Sequence, residues 1–149
     1  MKPLFTPLDS IESYLKSDNG KNAIRSLSKY LPEMQSEFLR IKKAIPFELT
    51  EEALFNYVDF DELMPKLQID INISGLLVDF DPDSWIEGLE LLDGIRKQQA
   101  VNNIKVCKLM TIINKRNVEE SGYFDKELKK GTFVWLLKNL CQEYITSEY

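Results

Sequence analysis

The stretch that decides the fold runs from Gly75 to Leu92 and has the sequence GLLVDFDPDSWIEGLELL. A short apolar run after the glycine predicts an extended segment, and Pro82 then predicts the start of a helix. Asp81 suits the N-cap position, because its carboxylate can accept hydrogen bonds from the unpaired backbone N–H groups of a first turn. Asp83 and Glu87 add negative charge where the helix dipole favours it. The centre of the chain is therefore predicted to carry an acidic helix start.

Apolar residues recur at helical spacing on both sides of this stretch, which predicts a mainly α-helical protein. Since 149 residues is the size of one domain, we expect residues 1–149 to form a compact single-domain bundle of about seven to eight helices. The predicted core combines large apolar residues from the second half of the chain, namely Trp85, Leu89, Leu109, Ile112, Ile113, Leu136, Leu137 and Leu140.

The segment QIDINI, residues 68–73, leaves two structures open. Polar and β-branched residues alternate with a period of two, which favours a strand, and Ser74-Gly75 would then turn the chain into a short β-hairpin near residues 68–80. Alternatively, the preceding helix continues through these residues and Gly75 ends it in a left-handed conformation. The alternation favours the hairpin, as one small exception in a helical protein.

The sequence has no histidine, and its two cysteines are Cys107 and Cys141. This composition removes Ser-His and Cys-His catalysis and the commonest transition-metal ligand. Both cysteines occupy apolar positions of helical segments, which predicts two buried, reduced thiols. No GxxxxGK phosphate loop occurs. We therefore expect a protein without catalytic activity, cofactor or metal.

The N-terminal residues show no charged segment followed by an apolar run, and no apolar run approaches the ~18 residues of a membrane span. Together with the reduced thiols, this pattern predicts a cytoplasmic protein that does not enter membranes.

Charge is distributed unevenly along the chain. Residues 1–46 hold 8 basic and 5 acidic residues, residues 47–93 hold 1 basic and 13 acidic residues, and residues 94–149 hold 10 basic and 6 acidic residues. Eight carboxylates of the middle segment have no evident structural duty, namely Glu51, Glu52, Asp61, Glu62, Asp79, Asp83, Glu87 and Glu90. They could simply face solvent, or they could form an acidic patch that attracts a basic protein. The second interpretation predicts an inhibitor or immunity-type protein whose partner is a nuclease toxin or a nucleic-acid-binding effector.

Three alternatives use the same charged residues. Asp79, Asp81, Asp83, Glu87 and Glu90 match the acidic positions of a calcium-binding EF-hand loop, although serine occupies its glycine position. Paired carboxylates could also serve an enzyme, as in glycoside hydrolysis. Finally, basic residues of the C-terminal helices could bind nucleic acid, namely Lys105, Lys108, Lys115, Arg116, Lys126, Lys129 and Lys130.

The C-terminal half contains F-D-x-x-x-W-x-E-G at Phe80–Gly88. After a spacer follow an apolar segment, residues 104–113, predicted to be a central helix that ends in the basic residues Lys115 and Arg116, then a loop glycine at Gly122, and G-x-x-x-x-L-L at Gly131–Leu137. In this order, over roughly residues 75–140, these motifs resemble a family of small bacterial proteins catalogued as a domain of unknown function. The resemblance implies a helical fold but no activity, since the family has none assigned. Residues 114–118, NKRNV, depart from the arginine and Arg-Phe expected after the apolar helix. A role of those arginines is therefore not implied for this chain.

Overall fold

The structure is a computed structural model that describes residues 3–44, 57–93 and 99–147, with side chains described as far as Cys141. The described part is mainly helical, which confirms the predicted class. Its helices are α1 (Ile11–Lys16), α2 (Asp18–Ser28), α3 (Tyr30–Ala44), α4 (Leu63–Ile73), α5 (Ile86–Asp93), α6 (Asn103–Glu119), α7 (Tyr123–Lys129) and α8 (Thr132–Ser147). Two strands, β1 (Phe5–Pro7) and β2 (Leu77–Asp79), and two 3₁₀ turns, Leu8–Ser10 and Pro82–Ser84, complete the described elements.

The predicted hairpin near residues 68–80 is wrong, because residues 68–73 belong to helix α4. The alternation favoured a strand because isoleucine occupies every second position, yet only one of the three isoleucines, Ile71, is buried. Ile69 and Ile73 lie on the opposite, outer face of the helix and are 47% and 51% exposed. Gly75 then adopts a φ of +78°, so the alternative of a helix followed by a left-handed glycine describes this segment.

Strand β2 confirms the predicted extended segment, but its partner is the N-terminal strand β1. The two strands are parallel, with Phe5 opposite Leu77. The side chain of Thr6 fastens this pair by donating a hydrogen bond of 2.5 Å to the carbonyl oxygen of Gly75. Leu77 and Val78 are fully buried, so strand β2 lies in the core, whereas Phe5 and Pro7 of strand β1 are exposed on its outer side.

Helix α6 is the centre of the hydrophobic core. Buried residues surround nearly its whole circumference, and it packs against β2, α1, α5, α7 and α8. Six of the eight predicted core residues are buried, and Trp85 and Leu89 are half-buried against the same core. The prediction of two buried thiols is confirmed for Cys107, whereas Cys141 is half-buried.

Asp81 is an N-cap, as predicted, because its side chain accepts a hydrogen bond of 3.1 Å from the backbone N–H of Asp83. The turn that it caps is a 3₁₀ helix, however, and α5 begins only at Ile86. Trp85 lies between the 3₁₀ turn and α5. Its ring packs over Gly88, where an added Cβ atom would lie only 2.1 Å from the ring carbon Cε3. The predicted acidic helix start therefore consists of a capped 3₁₀ turn followed by a separate helix, with Trp85 between them.

Candidate functional site

The acidic turn, which we define as residues 79–90, carries four of the predicted partner-binding carboxylates. Asp79, Asp83, Glu87 and Glu90 are all exposed. Glu87 accepts a hydrogen bond of 2.8 Å from the Nζ atom of Lys105. The carboxylates of the other three form no ion pair with another described residue. Three carboxylates of the acidic turn are therefore available to a partner.

Lys108 lies beneath the acidic turn and contacts its aromatic residues. The Nζ atom is 4.0 Å from the ring centre of Trp85 and 5.0 Å from that of Phe80. The two rings meet edge to face, with their centres 6.2 Å apart. Burial lowers the pKa of Lys108, while the nearby charge of Glu87 acts in the opposite direction. Because cation–π contact holds the ammonium group against the rings, Lys108 supports the turn from below rather than extending toward solvent.

Asp61 and Glu62 lie outside the acidic turn, immediately before α4. They line an open pocket of about 570 Å³, together with acidic residues that the sequence did not single out, and none of the four exposed carboxylates of the acidic turn lines it. These additional acids are Glu33, Glu37 and Asp59. The remaining two predicted site residues, Glu51 and Glu52, lie outside the described residues. The acidic side chains are thus arranged around the turn and around this pocket, which we call the acidic pocket.

Arg40 is the only cation among the described residues that line the acidic pocket. It binds Glu37 through two hydrogen bonds, of 2.6 and 2.8 Å. These bonds lower the pKa of Glu37, and a further hydrogen bond of 2.6 Å from the backbone N–H of Asp59 acts in the same direction. Arg40 therefore neutralises one carboxylate and leaves the pocket with an excess of negative charge.

Most basic residues of the C-terminal helices are engaged with partners within the protein. Besides Lys105 and Lys108, the engaged residues are Arg116 with Asp93 at 3.0 Å, Lys129 with Asp125 at 3.1 Å, and Lys130 with Glu127 at 3.5 Å. Lys115 and Lys126 are exposed. A nucleic acid that bound this face would have to compete with these internal contacts for five of the seven basic residues.

A buried polar network joins α6, α7 and α8, and sequence reasoning missed it. Glu127 is only 1% exposed, and its carboxylate accepts hydrogen bonds from the hydroxyl groups of Tyr123, at 3.0 Å, and Thr132, at 3.1 Å. Arg116 extends the network by donating to the Tyr123 hydroxyl at 2.8 Å. Burial raises the pKa of Tyr123 to about 12. Because its polar groups are mutually satisfied, this network is a structural joint between the helices.

The EF-hand alternative does not match the local geometry, because a strand rather than a helix enters the loop and Asp81 caps a 3₁₀ turn. Within the described ranges 3–44, 57–93 and 99–147, no three cysteine, aspartate or glutamate residues come close enough to hold a metal ion. In the same ranges, no helix combines the length and apolar character needed to cross a membrane.

Comparisons with protein families, curated proteins and solved structures found no match to this chain. The resemblance of residues 75–140 to a family of unknown function therefore remains an expectation from the sequence.

Proposed function

We propose that this protein is a small acidic protein-binding module of the bacterial cytoplasm that inhibits a basic partner. The partner would be a nuclease toxin or a nucleic-acid-binding effector, as for immunity-type proteins. Exposed carboxylates would occupy the basic surface that the partner uses to hold nucleic acid.

One observation supports this proposal: several exposed carboxylates have no ion-pair partner, whereas most basic residues of the C-terminal helices do have a partner. Asp61, Glu62, Asp79, Asp83 and Glu90 are exposed and form no ion pair with another described residue. By contrast, four basic residues of α6 and α7, and Lys130 directly after α7, are held by carboxylates or aromatic rings. Together with the formal net charge of −5, these unpaired carboxylates favour a negative surface field. A negative field accelerates the approach of a basic partner, and salt weakens this effect because exposed charges are screened.

The same observation argues against the nucleic-acid alternative. Phosphate binding needs several cations that can reach the backbone together. Lys105, Arg116 and Lys130 each already bind a carboxylate, so phosphate contacts would require these pairs to break.

The test uses charge reversals at positions that the structure shows to be exposed. Asp83→Lys with Glu90→Lys removes two unpaired carboxylates of the acidic turn, and Lys115→Glu with Lys126→Glu is the matched control on exposed lysines. Each protein is immobilised and exposed to an extract of the source organism. A partner that the unmodified protein retains is then identified and purified, and its association rate is measured at several salt concentrations.

We expect the acidic reversal to slow association by about tenfold or more at low salt, and the control to leave it unchanged or faster. Association that is insensitive to salt and to the acidic reversal, but is lost in the lysine control, would overturn the proposal in favour of the basic face.

A further inference from the structure

An open cavity of about 610 Å³ lies between α2, α3 and α4 and shares only Glu33 with the acidic pocket described above. Helix α2 contributes one polar face to it, with Asn19, Asn22 and Ser26 at helical spacing. The start of α3 contributes Tyr30 and Glu33, and the end of α4 contributes Asp70. Three helices therefore direct amide, hydroxyl, aromatic and carboxylate groups to one place.

The carboxylate of Asp70 is held in position by Tyr30. The Tyr30 hydroxyl donates a hydrogen bond to the Oδ2 atom of Asp70, and the side chain of Asp70 is half-buried. Burial, followed by this hydrogen bond, raises the pKa of Tyr30 to about 12, so the phenol remains a donor at neutral pH. The Oδ1 atom of Asp70 has no hydrogen-bond partner among the described residues. A positioned carboxylate thus presents an unused acceptor in a cavity.

The other charged residues of the cavity favour a cation. Glu33 follows Tyr30 by three residues on the same helix, so both side chains lie on one face. Lys29 is the only cation among the lining residues that the structure describes, and it is exposed at the edge. With Glu33 and Asp70 against Lys29, the lining has one excess negative charge.

An arginine side chain matches this combination better than a lysine side chain does. The planar guanidinium group would donate in two parallel directions, to the unused Oδ1 atom of Asp70 and to the second lone pair of Oδ2 beside the Tyr30 hydroxyl, and it stacks on aromatic rings. The rings of Tyr14 and Tyr30 both line the cavity. An ammonium group lacks the planar face and the paired donors.

We propose that this cavity binds the guanidinium group of an arginine side chain, with Asp70 as its main acceptor and Glu33 as a second carboxylate. That the arginine belongs to the basic partner rests on the proposed function, whereas the affinity of the cavity for guanidinium does not. Glu33 also lines the acidic pocket, so an arginine in the cavity would lie beside further carboxylates for neighbouring basic residues of the same partner.

The cavity can be tested without knowledge of the partner. The probe is Nα-acetyl-arginine N-methylamide, and its matched comparison is the citrulline analogue, which has nearly the same shape but no charge. Both are titrated into the full chain, and amide chemical shifts are followed by nuclear magnetic resonance. We expect saturable shifts in α2, α3 and α4 with arginine, and binding weaker by about tenfold or more with citrulline.

Two variants locate the site. Asp70→Asn removes the main acceptor and should weaken arginine binding by about tenfold. Asp61→Asn makes the same charge change at an exposed residue that does not line the cavity, and it should change affinity by less than about twofold. If Asp70→Asn does not fold, Glu33→Gln at an exposed position replaces it, with an expected loss of about threefold.

Several results would overturn the proposal. These are equal binding of citrulline and arginine, full binding by folded Asp70→Asn, or unchanged affinity in Glu33→Gln when that variant is needed. The lysine analogue and the free diamine putrescine test the kind of cation, and tighter binding of either would exclude arginine as the preferred ligand. Failure of the arginine probe would leave the charge-reversal result for the acidic turn intact, so the two proposals can fail separately.

Discussion

Thr111 of helix α6 forms a hydrogen bond with the backbone of Val78 in strand β2, as a third strand would. Its Oγ1 atom accepts the backbone N–H of Val78 at 2.8 Å and donates to the carbonyl oxygen of Cys107 at 2.8 Å. Both groups are buried, so a helix side chain satisfies a backbone donor that a two-stranded sheet would otherwise leave unpaired.

Replacing Thr111 with valine should lower the free energy of unfolding by about 1–3 kcal/mol, because the N–H of Val78 becomes a buried donor without a partner. The measurement is urea-induced unfolding, combined with hydrogen exchange of the Val78 amide. Thr111→Ser is the matched control, since it keeps the hydroxyl group and should keep the amide protected. Equal protection in both variants would show that the hydrogen bond is dispensable.

Glu127→Ala should be among the most destabilising substitutions of a charged residue. It leaves the hydroxyl groups of Tyr123 and Thr132 and the ammonium group of Lys130 without their buried acceptor, which predicts a loss of about 3 kcal/mol. Thermal or urea unfolding measures this loss. The control Glu119→Ala lies at an exposed position and should change stability by no more than about 0.5 kcal/mol. Similar losses in both variants would contradict the role assigned to the network.

Stability should fall in alkaline solution as Tyr123 ionises. Its folded-state pKa of about 12 lies above the ordinary value of 10.0, chiefly because of burial. A raised pKa means that the stabilisation is complete below pH 10 and is lost as the pH rises toward 12. Tyrosinate absorbance should show late-titrating groups, since burial also raises the pKa of Tyr30 to about 12, and Tyr123→Phe should contain one fewer of them. A Tyr123→Phe variant that loses as much stability as the unmodified protein over this pH range would refute the assignment.

The two thiols should differ in reactivity. Cys107 is fully buried and Cys141 is half-buried, so a disulfide reagent should modify Cys141 first in the folded protein. Cys107→Ala should cost about 1–3 kcal/mol and Cys141→Ala less, because less apolar surface is lost. Mass spectrometry of the partly modified protein identifies the reacting residue, and faster modification of Cys107 would contradict the structure.

Gly88→Ala should disturb the acidic turn although alanine is the better helix former. The added methyl group would overlap the ring of Trp85, with an expected net loss of about 1–3 kcal/mol. Tryptophan fluorescence and urea unfolding report the displacement. If the clash is the cause, the double variant with Trp85→Leu should lose less than the sum of the two single losses. Additive losses would point to another cause.

Local features were predictable from the sequence where the responsible residues are neighbours in the chain. Asp81 and Pro82 define a turn start by their own chemistry, and the apolar residues of α6 indicate a central helix by their spacing. The hairpin prediction for the segment around Asp70 was wrong, because a period of two in side-chain type does not distinguish a strand from a helix that exposes Ile69 and Ile73.

The candidate site was less predictable because its features are tertiary. The contact of Lys108 with Trp85 and the pairing of Lys105 with Glu87 join residues of different elements. The cavity around Asp70 was not predicted, because the favoured hairpin separates Asp70 from Tyr30 and only the alternative helix brings them together. A helical interpretation of residues 68–73 would have placed Asp70, Ile73 and Ser74 on one face, which is the only local signal for that wall.

The parallel pairing of β1 with β2 also sets an order of events during synthesis. Thr6 and Gly75, which are hydrogen-bonded across this sheet, are separated by 69 positions, and Thr111 follows later still. During synthesis, β1 therefore leaves the ribosome long before β2 has been made, and it remains unpaired while the intervening helices form. Closing so long a loop is an entropic burden that late contacts alone can offset, so docking of β1 should be among the last steps of folding. Until then, the strand's backbone groups stay exposed to chaperones and to other nascent chains.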